Sequence, residues 1–146
     1  MHRLTRGALA GGAATLLMSV PIVAAEKLGF FQNPPPREIS ARAANRTDAL
    51  PDSPEPAFSL VWPVAHLAYG TGVGAGFGLV RRMLPSSPVV TGLIVGGGVW
   101  AISYAGYLPA LGLYPPPSDD SPPRPVTMIV AHAVYGIALA RIYDRL

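Results

Sequence analysis

All the Asp, Glu, Lys and Arg side chains of this 146-residue chain fall outside four windows. Gly7 to Ala25 is free of them for 19 residues, Ala57 to Val80 for 24, Met83 to Ser118 for 36 and Pro125 to Ala140 for 16. About 20 helical residues cross a hydrocarbon core about 30 Å thick. The first three windows meet that length. The fourth is extended by Ile142 and Tyr143 past Arg141, whose guanidinium can snorkel to the headgroups. Charged residues make up 13% of the chain, about half the roughly 25% usual in soluble domains. The pattern predicts one all-α membrane domain over 1–146, a four-transmembrane-helix bundle with spans at about 7–25, 59–81, 89–109 and 126–143. With no cysteine, a disulfide framework, a thiolate zinc site and a thiol nucleophile are excluded.

Charge also orients the bundle. Four spans put the N-terminus, the loop between the second and third spans and the C-terminus on one side. That side carries Arg3, Arg6, Arg81, Arg82, Arg141 and Arg145 against Asp144, while the other carries five basic residues against seven acids. Lys and Arg in short loops stay in the cytoplasm, so both termini are expected there. Six arginines in three separate places make no groove for nucleic acid. The expected partner is the lipid bilayer, together with further copies or a membrane complex. Arg3, Arg6, the apolar stretch and Val23-Ala24-Ala25 before Glu26 also fit a secretory signal peptide with its cleavage site.

Against cleavage stands an internal repeat. Ala65-His66-Leu67-Ala68-Tyr69-Gly70 returns 66 residues later as Ala131-His132-Ala133-Val134-Tyr135-Gly136. Gly7–Gly12 corresponds to Gly92–Gly97, Leu28-Gly29-Phe30 to Leu111-Gly112-Leu113, and Pro34-Pro35-Pro36 to Pro115-Pro116-Pro117. Each unit (1–82 and 83–146) reads as a helical hairpin around an outer loop, at 30–56 and 114–125. Two spans per unit insert both copies the same way round, which predicts a parallel pseudo-two-fold axis along the membrane normal. Each proline triplet is expected to terminate the helix before it, since Pro lacks an N–H and forces its predecessor out of the α region. Arg37 to Asp48 is expected as a short interfacial helix, and Ser53-Pro54-Glu55-Pro56 as linker.

Small residues recur at every fourth position: Gly7 and Gly11, then Gly70, Gly74 and Gly78, then Gly92 and Gly96, then Gly136 before Ala140. Such stripes let helix backbones approach closely, and they are assigned to helix packing. Gly70-Thr71-Gly72-Val73-Gly74-Ala75 also spells a dinucleotide fingerprint. It lies inside a span with no strand before it and no acid about 20 residues on, so it binds no nucleotide.

His66 and His132, each with a tyrosine three residues on (Tyr69 and Tyr135), are the candidate polar site. Ionisable groups inside spans usually face the bundle interior. Each imidazole can pin two helices by hydrogen bonds, form a proton relay or the neck of a solute path, or ligate a haem axially. The repeat predicts equivalent positions for the two histidines. No carboxylate accompanies them, so neither a metal site nor serine catalysis at Ser59 or Ser103 is expected. Trp62, Tyr107 and Tyr114, near span ends, are expected as interfacial anchors.

The triple-proline loop after the first span, the Leu111-Gly112-Leu113-Tyr114-Pro115-Pro116-Pro117 run and the closing Ala131-His132-Ala133-Val134-Tyr135-Gly136 resemble the YagU-like small bacterial inner-membrane proteins of unknown function. The resemblance implies a multi-pass plasma-membrane protein and transfers no catalytic residue. The sequence thus predicts a non-enzymatic integral membrane protein without a cofactor, a structural or accessory subunit or a small homo-oligomeric conduit. Its alternative is a haem- or quinone-associated redox protein using His66 and His132.

Overall fold

A computed structural model describes residues 1–47 and 55–146. The linker expected at Ser53-Pro54 and the expected helix end at Asp48 lie outside the described residues. Those described form five helices and no strand: α1 (Arg3–Lys27), α2 (Pro35–Thr47), α3 (Glu55–Val80), α4 (Pro88–Ala110) and α5 (Pro123–Arg145). Of these, α1, α4 and α5 are long and apolar enough to cross a membrane.

Burial in these helices is inverted relative to a protein folded in water. In α1, Ala10 and Ala14 are fully buried, while Leu16 and Val20 are 65% and 64% exposed. In α5, Ala131, Gly136 and Ala140 are buried, while Val126, Ile129 and Val130 face outward. Lipid tails are as apolar as leucine, so large side chains gain nothing by turning inward there, and close backbone packing supplies the attraction. These apolar outer faces mark a membrane-embedded protein.

The close packing runs through glycine. α1 and α3 lie antiparallel, with Gly7 against Gly74 and Gly78, and Gly11 against Gly70 and Gly74. A Cβ on Gly74 would sit 2.6 Å from the Gly11 Cα, inside any real carbon–carbon contact. α4 and α5 meet in the same way, Gly92 and Gly96 lying against Gly136 and its neighbours, where a Cβ on Gly136 would sit 2.7 Å from the Gly96 nitrogen. α5 also packs on α1 and runs parallel to α3. Its Tyr135 hydroxyl donates to the Gly70 carbonyl at 2.7 Å, and its Tyr143 hydroxyl to the Gly78 carbonyl at 3.4 Å. Near Tyr143, the Arg81 Nε and Nη2 donate to both Asp144 oxygens at 2.9 and 2.7 Å, tying the turn after α3 to the end of α5. That hydrogen bond holds the Arg81 guanidinium above its ordinary pKa.

The ends of α1 and α4 correct the expectation for the prolines. Both helices stop on a glycine in the left-handed region, Gly29 at φ +79° and Gly112 at φ +62°. Gly29 N–H donates to Glu26 and Phe30 N–H to Ala25; Gly112 donates to Pro109 and Leu113 to Leu108. This pairing satisfies the last free carbonyls, and only glycine takes that conformation without a steric cost. The chain has therefore already left the helix when it reaches the prolines. Pro35 and Pro36 instead begin α2, where a missing N–H costs nothing, and the Pro34 carbonyl accepts from Arg37 and Glu38. Pro116 closes a turn by accepting from Asp119. Pro56, expected in a linker, lies in the first turn of α3. Within the outer segment 30–56, α2 falls where the short helix over Arg37 to Asp48 is expected and starts two residues earlier, at Pro35.

Candidate functional site

Among the described residues, α3 and α4 each pack on a partner and touch one another little. Between them lies a cavity of about 490 Å³. Its inner walls are Met18 and Ile22 of α1 and Met128, His132 and Tyr135 of α5; α2 covers one end with Ile39, Ser40, Ala43 and Ala44. Val61 and Tyr69 of α3 and Tyr107 of α4 line it yet are 37%, 45% and 37% exposed. The cavity is thus open sideways between α3 and α4.

The α4 wall is π-helical from Ser103 to Tyr107. Such a turn carries an extra residue, widens the helix and recurs at functional sites. Here it places Ser103, Tyr104 and Tyr107 along the cavity. The Ser103 hydroxyl turns back to donate to the Val99 carbonyl at 2.6 Å.

His66, Tyr69, His132 and Tyr135 all line this one cavity. The two imidazoles share its lining. His132 Nδ1 lies 2.7 Å from the Met128 carbonyl oxygen. A carbonyl only accepts, so Nδ1 carries the proton and the neutral ring keeps a bare Nε2. The two tyrosines are not equivalent. Tyr135 is 2% exposed and bonded to α3, whereas Tyr69 is at the open side, in range of the Tyr107 hydroxyl. The reason is packing: α5 has neighbours on several sides, while α3 borders the gap. The predicted equivalence of the two motifs therefore fails at the tyrosines.

The residues do not fit a haem. Axial ligation needs the rings on opposite faces of a flat slot, with cations for the propionates. Both rings instead look into one cavity that no Lys or Arg among the described residues lines, and those residues form no His–His haem site. Among the described residues no group of three His, Asp or Glu could hold a metal ion. The packing glycines lie at the helix contacts, with Gly70 also reaching the cavity wall.

Two expected anchors are placed otherwise. Tyr107 lines the cavity, and Tyr114 is 1% exposed, its ring 5.6 Å from that of Tyr104. Burial pushes the Tyr114 hydroxyl above its ordinary range. Tyr114 belongs to a polar cluster that sequence reasoning did not single out. Arg124 of α5 pairs with Glu38 of α2 at 3.0 Å and with Asp120 at 3.4 Å, and Tyr104 donates to Asp120. The other end of α2 is held by Arg46, which donates to the Leu111 carbonyl at the end of α4. The only local signal was the i,i+4 spacing of Asp120 and Arg124.

The fold and this site define a helical membrane-embedded protein that encloses an apolar cavity carrying two histidines. The chain belongs to the family of unknown function DUF6789, whose profile matches residues 1–146. No characterised protein and no solved structure matches it.

Proposed function

We propose that this protein is a non-enzymatic, four-span protein of the bacterial inner membrane that binds a small apolar molecule in the cavity between α3 and α4. The observation that carries the reading is the cavity itself. It has the size of a small-molecule site, and apolar walls with a few convergent polar groups are what such sites share. Its open side faces where lipid would lie, so an apolar ligand can enter without crossing water. Among the described residues, no carboxylate lines it to orient either histidine for catalysis.

The fourth span is α3. It is charge-free from Ala57 to Val80 and lies antiparallel to α1 from Gly7 to Thr15, so it crosses whatever α1 crosses. The duplicated hairpin is supported by the matched glycine caps at Gly29 and Gly112 and by the corresponding Gly11–Gly70 and Gly96–Gly136 contacts. Retention of the first span is supported by its packing against both α3 and α5. Cytoplasmic termini and an outer position for the α2 cover are supported by the charge asymmetry, and the inner membrane by the YagU-like resemblance. A conduit is the weaker reading. α2 closes one end of the cavity, and Ala10, Leu139 and Ala140, all at 0% exposure, pack the bundle away from it.

Thermal melts in lipid nanodiscs with para-nonylanisole, an apolar probe without an O–H, test the reading. Saturable stabilisation of the wild type follows from binding to the folded state. Val99→Trp, which fills the cavity from the α4 wall, abolishes it. A shift absent in the wild type, or identical in Val99→Trp, overturns the reading.

A further inference from the structure

We propose that the cavity selects a neutral ligand bearing an O–H group, a long-chain phenol or alcohol, whose hydroxyl donates to His132 Nε2. This rests on the cavity being a binding site for apolar molecules, and adds the chemistry of the end that is recognised.

The argument is an inventory of donors. Apart from His66 and the tyrosines at the open side, five polar side chains line the cavity, and the structure gives each an acceptor of its own. Ser40 donates to Pro36 at 2.8 Å, Ser103 to Val99 at 2.6 Å and Tyr135 to Gly70 at 2.7 Å. His132 donates through Nδ1 to Met128 at 2.7 Å. Tyr104 donates to the Asp120 carboxylate, so every one of these protons is directed at the protein itself. What they leave to the cavity is lone pairs. The most basic is His132 Nε2, on the ring edge opposite the one bound to α5, and that ring lines the cavity.

A ligand that matches must bring its own proton. An ether or ketone can accept from His66 but leaves His132 Nε2 without a donor. A carboxylate or phosphate adds a charge that nothing in the described lining pairs, since among the described residues no Lys, Arg, Asp or Glu lines it, and burying an unpaired charge is far costlier than burying a hydroxyl. An ammonium head meets the same objection. A hydroxyl is the neutral group that donates to His132 while its oxygen accepts from the neighbouring His66. The remaining walls, among them Met18, Ile22, Val73 and Leu108, suit an apolar ring or chain.

The test compares para-nonylphenol with para-nonylanisole, which differ by one methyl on the oxygen, in nanodiscs of a single neutral lipid. The wild type binds the phenol about three- to tenfold more tightly, the worth of one hydrogen bond. His132→Phe binds the two probes alike, near the wild-type affinity for the anisole. His132→Gln, which keeps an acceptor, retains part of the preference. Equal wild-type affinities, each saturable and lost in Val99→Trp, would overturn the donor assignment and leave the apolar site standing. Failure of both probes to bind the wild type would remove the site and this proposal with it. A phenol preference that persists in both His132 variants would place the acceptor elsewhere and refute the assignment. The wild-type comparison is decisive even where a variant does not fold.

Discussion

Replacing Gly74 by alanine probes the contact on which the α1–α3 pair depends. The new Cβ would stand 2.6 Å from the Gly11 Cα. Ordinary carbon contacts begin near 3.4 Å, so the helices must part by about 1 Å at that level. Backbone cannot rotate aside as a side chain can. A gap of about 0.5–1 Å forfeits a quarter to a half of each dispersion contact along the seam, and overpacking of this kind costs about 1–3 kcal/mol. Gly76 supplies the control within the same helix, since a Cβ there meets nothing within 4 Å. Both substitutions gain the same helix propensity, up to about 1 kcal/mol, so their difference isolates the contact. Melting followed by circular dichroism should place Gly74→Ala about 2–12 °C below Gly76→Ala, at about 2–4 °C per kcal/mol for a chain of this length. Coincident melts would refute the account of how the two helices are held.

Further outcomes follow from the same geometry. Tyr135→Phe should cost about 0.6 kcal/mol, and at most about 1.7, by removing the bond to the Gly70 carbonyl, while Tyr69→Phe should leave stability unchanged; equal losses in chemical unfolding would contradict the inequivalence of the two motifs. A double-mutant cycle on Arg81 and Asp144 should give a coupling of about 0.2–1 kcal/mol that falls with salt, and a coupling indifferent to salt would contradict an exposed pair. Reporter fusions after Leu146 and between Arg81 and Arg82 should report cytoplasm and one near Asp48 the outside, whereas an outside C-terminus would remove the four-span reading.

What the sequence could disclose was what lipid forbids or demands locally. A charge inside the bilayer is expensive, so the charge-free windows locate the apolar helices to within a few residues of α1, α4 and α5. A close backbone approach requires glycine at fixed intervals, so the stripes carry the contact residues in plain view. The helix ends were misread because Leu28-Gly29 and Leu111-Gly112 act before the more conspicuous prolines. The cavity was not legible at all. It exists because α5 packs on α1 while α3 and α4 stay apart, a choice among similar apolar surfaces that no local pattern records. Nor could a reading along the chain pair Glu38 with Arg124, whose separation of 86 residues closes only in the folded bundle. The histidines were singled out from their spacing, yet their difference in surroundings came from the same unsymmetrical packing.

The central claim, that a ligand occupies the bundle and does not merely coat it, is tested most directly by photolabelling. A diazirine-bearing para-alkylphenol, irradiated in nanodiscs with the wild-type protein and mapped by peptide mass spectrometry, should insert at Val61, Val73, Val99 and Met128. Excess para-nonylphenol should suppress that labelling. Insertion confined to the outward faces, at Leu16, Val20, Leu93 and Ile129, and indifferent to competitor would show only annular contact and would contradict the account.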